Sequence, residues 1–122
     1  MGILTRARES PRVNEAGGLE WYHGDKASFI IRQKYTDQSG YPVVLTSSSK
    51  VVILVTERGD EVYRKEFTEF PTPGDTGEQA VTWAIDDEVT EKLQPGKYQL
   101  RLIVHHGETV TTVVDSHIIV RR

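Results

Sequence analysis

Turn-forming residues interrupt this chain about every ten positions from His23 onward, which leaves no room for a helix of ordinary length. The breaks are His23-Gly24-Asp25, "TDQSGYP" at 36–42, Ser47-Ser48-Ser49, Arg58-Gly59-Asp60, "TEFPTPGDTGE" at 68–78, Gln94-Pro95-Gly96 and Gly107-Glu108. Between them the residues alternate as half-buried strands do. In "KASFIIRQKY" (26–35), Ala27, Phe29 and Ile31 share one face, with Lys26, Ser28, Arg32 and Lys34 opposite. In "QAVTWAI" (79–85), Val81, Trp83 and Ile85 share a face, and in "KYQLRLIVHH" (97–106) Tyr98, Leu100, Leu102 and Val104 do.

"KVVILVTE" (50–57) is apolar on both parities and reads as a central strand covered on both faces. "EVYRKEF" (61–67) returns from Arg58-Gly59-Asp60 with the charged pattern of an edge. "LEWY" (19–22) and "VVL" (43–45) read as short strands, and "TVTTVVDSHIIVRR" (109–122) closes the sheet with Ile118 and Val120 inward. The fold class that follows is all-β: an antiparallel, immunoglobulin-like β-sandwich of about seven strands over 19–122.

At 122 residues the chain holds one domain. Its hydrophobic share of 37% is low for a globular chain, and residues 1–18 account for part of that. They are polar, contain Pro11, end in Gly17-Gly18 and show neither a helical nor a strand period, so they read as an extended arm. Arg6, Arg8 and Arg12 make the arm slightly basic and are its candidate partner-binding residues.

Cysteine is absent, which excludes disulfides and thiolate metal sites. The net charge of −3 argues against general nucleic-acid binding. No apolar run approaches the roughly 20 residues that span a bilayer. The first residues carry no signal-peptide core, so the chain is expected to stay in the cytosol of the producing cell.

"TWAIDDEVTEKLQPGKYQLRLIV" (82–104) poses the chemical question, because Asp86, Asp87 and Glu88 stand together. Neighbours in a helical turn do not converge on one point as a catalytic pair must. Asp86 fits an N-cap instead, with Asp87 and Glu88 in the first turn and Val89 and Leu93 sealing the end of the sandwich. Tyr98 then stands where immunoglobulin-type sandwiches place a tyrosine corner, its hydroxyl pinning the crossover.

Other candidates are weaker. Pairing across Gly107-Glu108 sets His117 opposite Tyr98, and the adjacent His105 and His106 face opposite ways, so no three histidines converge on a metal. Arg58-Gly59-Asp60 matches the integrin tripeptide but also makes an ordinary hairpin turn. Trp83 belongs to the core by parity. Trp21 and Tyr22, with Tyr41, are the candidate surface aromatics, and Ile30, Leu54 and Ile103 on otherwise polar parities suggest an outer patch. No nucleophile motif, phosphate-binding loop or metal helix is present, so the chain reads as a non-enzyme that needs no cofactor.

Three segments carry a family resemblance: "GDKASFIIRQKYTDQSGYPVVLT", "TWAIDDEVTEKLQPGKYQLRLIV" and "HIIVRR". From about Gly24 to the end the layout resembles the small β-sandwich domains of tailed-bacteriophage virion structural proteins, in baseplate, tail or capsid-associated positions. Bacterial surface immunoglobulin-like modules share the "P-G-x-Y-x-L" element. The resemblance implies a structural protein of the virion, made in the bacterial cytoplasm. It would dock on capsid, neck or tail proteins through its arm and one sheet face, as a homo-oligomer or in many copies, without nucleic acid or membrane. The alternative is a carbohydrate-binding or adhesive immunoglobulin-like module, which needs exposed coplanar aromatics among Trp21, Tyr22 and Tyr41.

Overall fold

The computed structural model describes residues 12–13, 17–36, 39–75 and 77–122, with Arg12, Val13 and Ala27 described in their backbone only. Arg6 and Arg8 lie outside the described residues. Among the described residues the architecture is all-β with one short helix. In chain order the elements are β1 (Arg12–Val13), β2 (Leu19–Tyr22), β3 (Ala27–Gln33), β4 (Tyr35–Thr36), β5 (Pro42–Val43), β6 (Lys50–Glu57), β7 (Asp60–Phe67), β8 (Gln79–Ile85), α1 (Asp87–Lys92), β9 (Gly96–His106) and β10 (Thr109–Arg121). Seven of these strands are four residues or longer, namely β2, β3 and β6 to β10.

Among the described residues the strands form a large sheet in the order β1-β2-β10-β9-β6-β7, a second sheet of β3 and β8, and a small pair of β4 and β5. One pair departs from the antiparallel expectation: β2 runs parallel to β10, with Leu19 opposite Ile118 and Trp21 opposite Val120. The physical reason is connectivity. β2 joins the large sheet from the opposite end of the chain, so no hairpin dictates its direction. The Arg121 guanidinium Nε donates to Glu20 Oε2 at 2.8 Å across this pair.

The run 26–35 also divides. β3 ends at Gln33, and Tyr35-Thr36 pairs instead with Pro42-Val43 across the turn at 36–42. The expected short strand at 43–45 is therefore displaced toward the turn, and Leu45 leaves the ladder.

The two larger sheets meet through aromatic rings. Trp21 from β2 lies 5.9 Å from Phe29 of β3 and 5.8 Å from Trp83 of β8, the latter edge-on. Tyr63 from β7 lies 5.8 Å from Trp83, and the Trp83 indole N–H donates to the Tyr63 hydroxyl at 3.2 Å. Burial raises the Tyr63 pKa above its ordinary value, partly offset by that hydrogen bond. Val51, Ile53 and Val55 on β6 and Leu100, Leu102 and Val104 on β9 complete the interior with Ile85, Val89, Leu93, Ile118 and Val120. β6 is buried at Val51, Val52 and Ile53 in succession, as a strand covered on both faces must be.

Arg58 and Gly59 form the two-residue loop between Glu57 and Asp60, both with positive φ (53° and 89°), so the Arg-Gly-Asp tripeptide is spent on a hairpin. At Gly18 the backbone passes so close to the His117 ring that a Cβ would collide with it. Gly17 O accepts from the Ser116 hydroxyl at 3.2 Å. Arg12 and Val13 fold back beside β2, opposite Glu20 and Leu19.

Candidate binding surface

The acidic corner is assembled by backbone geometry. Asp86 is extended (φ −99°, ψ −170°), and its Oδ1 accepts from Val89 N–H at 3.0 Å. Asp87 pairs with Lys26 at 3.0 Å, both side chains well exposed. Val89 and Leu93 are fully buried beneath the turn. Across it, His23 Nε2 meets Thr90 O at 3.1 Å. The Tyr98 hydroxyl donates to Gln94 O at 2.6 Å, closing the crossover from α1 into β9. Burial, and then the charge of Glu57, raise the Tyr98 pKa.

Tyr98→Phe should therefore lower stability by about 1 kcal/mol at neutral pH. A raised tyrosine pKa means that the folded state keeps a proton the unfolded chain gives up. The contribution is thus full below the ordinary value of 10.0 and is lost as pH rises through the folded value. Chemical denaturation should show the gap between parent and variant closing at alkaline pH.

The surface aromatics need correction. Trp21 is only 1% exposed and stands in the core between Phe29 and Trp83, so it is no partner-binding residue. Alternation predicts that one of Trp21 and Tyr22 faces away from the sheet, and it is Tyr22, 37% exposed. Tyr41 is the most open aromatic, at 69%. The outer patch divides as well. Ile30 is exposed on β3, whereas Leu54 and Ile103 are half-buried on the large sheet, beside a fully buried Val52.

Exposed apolar side chains gather elsewhere. Of the six large ones among the described residues, Tyr41, Val44, Val110 and Val113 belong to two segments, the turn and strand around β5 and the start of β10. These segments border one groove of about 570 Å³, walled by Tyr35, Val43, Val104, His106, Thr111 and Val113. A second groove of about 250 Å³ continues from Gln33 along β3, over Phe29, Ile31, Ile53, Leu102 and Val114. The Tyr35 ring lines the larger groove while its hydroxyl is buried without a hydrogen-bond partner among the described residues, and burial raises its pKa.

One constellation was invisible in the sequence. Ser49 Oγ lies 3.0 Å from His106 Nδ1, within hydrogen-bonding distance, and accepts from Thr46 N–H at 3.1 Å. His106 borders the groove, but Ser49 is buried and does not, so the pair fastens the 46–49 loop to β9. The partners are 57 positions apart and share no motif. Likewise Gln79, wholly buried, clasps Leu45: Oε1 accepts from Leu45 N–H at 2.8 Å, and Nε2 donates to Leu45 O at 3.0 Å and Pro71 O at 3.1 Å. His105, His106 and His117 do not meet, and among the described residues no three His, Asp or Glu side chains are grouped to hold a metal. No described helix is long and apolar enough to cross a membrane.

No family model, no curated protein and no solved structure matches this chain.

Proposed function

We propose that this chain is a non-enzymatic assembly module, an immunoglobulin-like sandwich that joins neighbouring proteins through its N-terminal arm and its groove-bearing end. The observation that carries the reading is a groove of about 570 Å³ with exposed Val113 on its wall, bordered by two segments that also expose Tyr41, Val44 and Val110 beside it. Apolar surface concentrated this way is characteristic of a contact made with another molecule. The immunoglobulin-like assignment is supported by strand order. The short β2 lies parallel to the last strand, β10, the four long strands β10, β9, β6 and β7 of the large sheet share one core with the β3–β8 pair, and Tyr98 ties the corner into β9. The setting, a tailed-phage virion, comes from the motifs around Tyr41, Trp83 and Tyr98. Identical copies of such a module would be arranged symmetrically on the particle. A glycan platform is disfavoured, because Trp21 is withdrawn into the core and Tyr22 and Tyr41 lie on separate segments.

The test is incorporation. Antibodies to the chain should label purified tailed-phage particles produced with it. Tyr41→Ser combined with Val110→Glu should reduce that labelling at least tenfold. Both side chains are exposed, so stability should change by less than about 0.5 kcal/mol. A folded, abundant chain missing from the particles would end the virion reading. Undiminished labelling by the double variant would end the role of the groove-bearing end.

A further inference from the structure

The two edges of the β3–β8 sheet differ. That of β8 begins at the Gln79 clasp, which holds the Leu45 backbone, and ends at the α1 corner. That of β3 has no neighbouring strand among the described residues. Beside it run the two grooves, which meet at Gln33.

Their far wall is β10. Thr109, Thr111, Val114 and Ser116 lie opposite His106, Val104, Leu102 and Leu100, so they share the inward side of the large sheet. Farther along that same side Ile118 and Val120 are buried, yet Thr109 and Thr111 are exposed. Among the described residues the strands that face this sheet are β3 and β8, and the two grooves lie between β3 and the inner side of β10. Along the grooves the outer edge of β3 has no ladder partner among the described residues, so its outward N–H and C=O groups can take one.

We propose that this trough accepts a strand, and that its occupant is residues 1–11 of a second copy of this chain. The inference rests on the reading above, in which copies assemble through the arm. Pairing along the seven residues of β3 takes about 23 Å of extended chain, and eleven residues reach about 36 Å. Main-chain hydrogen bonds supply the affinity in such strand addition, so the arm needs no side-chain period. It has no proline before Pro11, so its first ten residues retain their donors, and Ile3, Leu4 and Ala7 offer apolar contacts to a floor of Ile53, Leu100 and Leu102.

The direction of the chain favours a donor from outside. β1 lies on the side of β2 away from β10, with Arg12 opposite Glu20 and Val13 opposite Leu19. In that ladder Arg12 stands on the Tyr22 side of Val13, whereas the trough is bordered by Gly17 and Leu19 at the other end of β2.

The experiment compares the full chain with a full chain carrying Thr5→Pro and Ala7→Pro, which removes two arm donors and touches no core residue. Sedimentation and hydrogen exchange are followed over a hundredfold range of concentration. The parent should self-associate, and the amides of Ser28 to Arg32 should exchange at least tenfold more slowly as it does. The proline chain should stay monomeric with those amides fast, and excess synthetic peptide 1–11 should dissociate the parent. Slow exchange in β3 that ignores concentration would assign the arm to its own chain and overturn the inference. Association lost with the prolines but never accompanied by protection of β3 would overturn the trough while leaving assembly through the arm intact. Association that survives the prolines would overturn both.

Discussion

Alanine at Trp83 is expected to remove most of the stability of this domain. The indole is the joint between the two sheets: it touches Trp21, Phe29 and Tyr63 and donates the only hydrogen bond described for the Tyr63 hydroxyl. Truncating a buried tryptophan costs about 3–5 kcal/mol in lost transfer energy and cavity. The hydroxyl left unpaired adds roughly 1 kcal/mol or more. Small domains have only about 5–15 kcal/mol in total. With a urea dependence near 2 kcal/mol per molar, the midpoint should fall by roughly 2 M, followed by Trp21 fluorescence. Trp83→Phe keeps a ring between the sheets and should lose much less. Tyr22→Ala, on the exposed partner of Trp21, should stay within about 0.5 kcal/mol. A Trp83→Ala domain that unfolds within 1 kcal/mol of the parent would mean that the sheets are held together elsewhere.

The fate of Trp83 was legible because β8 alternates cleanly and buries Gln79, Val81, Trp83 and Ile85 in step. Trp21 was not legible, since β2 breaks the rule of two. Leu19, Glu20 and Trp21 are all buried, because β2 lies between β1 and β10 and its polar residue is enclosed by the Arg121 pair. A charged residue in that position looks like a marker of the solvent face, and period alone cannot say otherwise. The corner was readable from Asp86, Val89, Leu93 and Tyr98 because caps, turns and spacing act within a few residues of each other.

The last hairpin shows a subtler limit. A simple turn at Gly107-Glu108 predicts His117 opposite Tyr98, on the core side. The ladder begins in that register, with Thr109 opposite His106, and then slips by one residue between Thr112 and Val114. Beyond the bulge Ile118 faces Tyr98 and His117 faces Gln99. One extra residue thus turns every later side chain over, satisfying the hydrophobic demand of Ile118 and Val120. The demand was visible in the sequence, but the bulge that meets it was not. It also leaves Val113 exposed at the rim of the larger groove.

Gln79 gives the second large effect and a sharper test of what closes the β8 edge. Its amide pairs with both backbone groups of Leu45, which lies outside the β4–β5 ladder. Gln79→Leu keeps the bulk but orphans a buried N–H and a buried C=O, at about 1–3 kcal/mol each, so a loss near 3 kcal/mol is expected. Gln79→Glu separates hydrogen bonding from shape. The introduced carboxylate can still accept from Leu45 N–H, but it faces the carbonyls of Leu45 and Pro71 in a buried site, and both burial and that repulsion favour its protonated form. Its folded pKa is then raised above the unfolded value of about 4.3. The penalty is absent below that value, where the protonated group can donate as the amide does, and it grows as pH rises through the folded pKa. Denaturation should show this variant close to the parent at pH 4 and several kcal/mol weaker at pH 7. Hydrogen exchange at Leu45 should accelerate over the same interval. Equal losses at both pH values would show that the site holds volume rather than hydrogen bonds, and that the β8 edge is closed by packing alone.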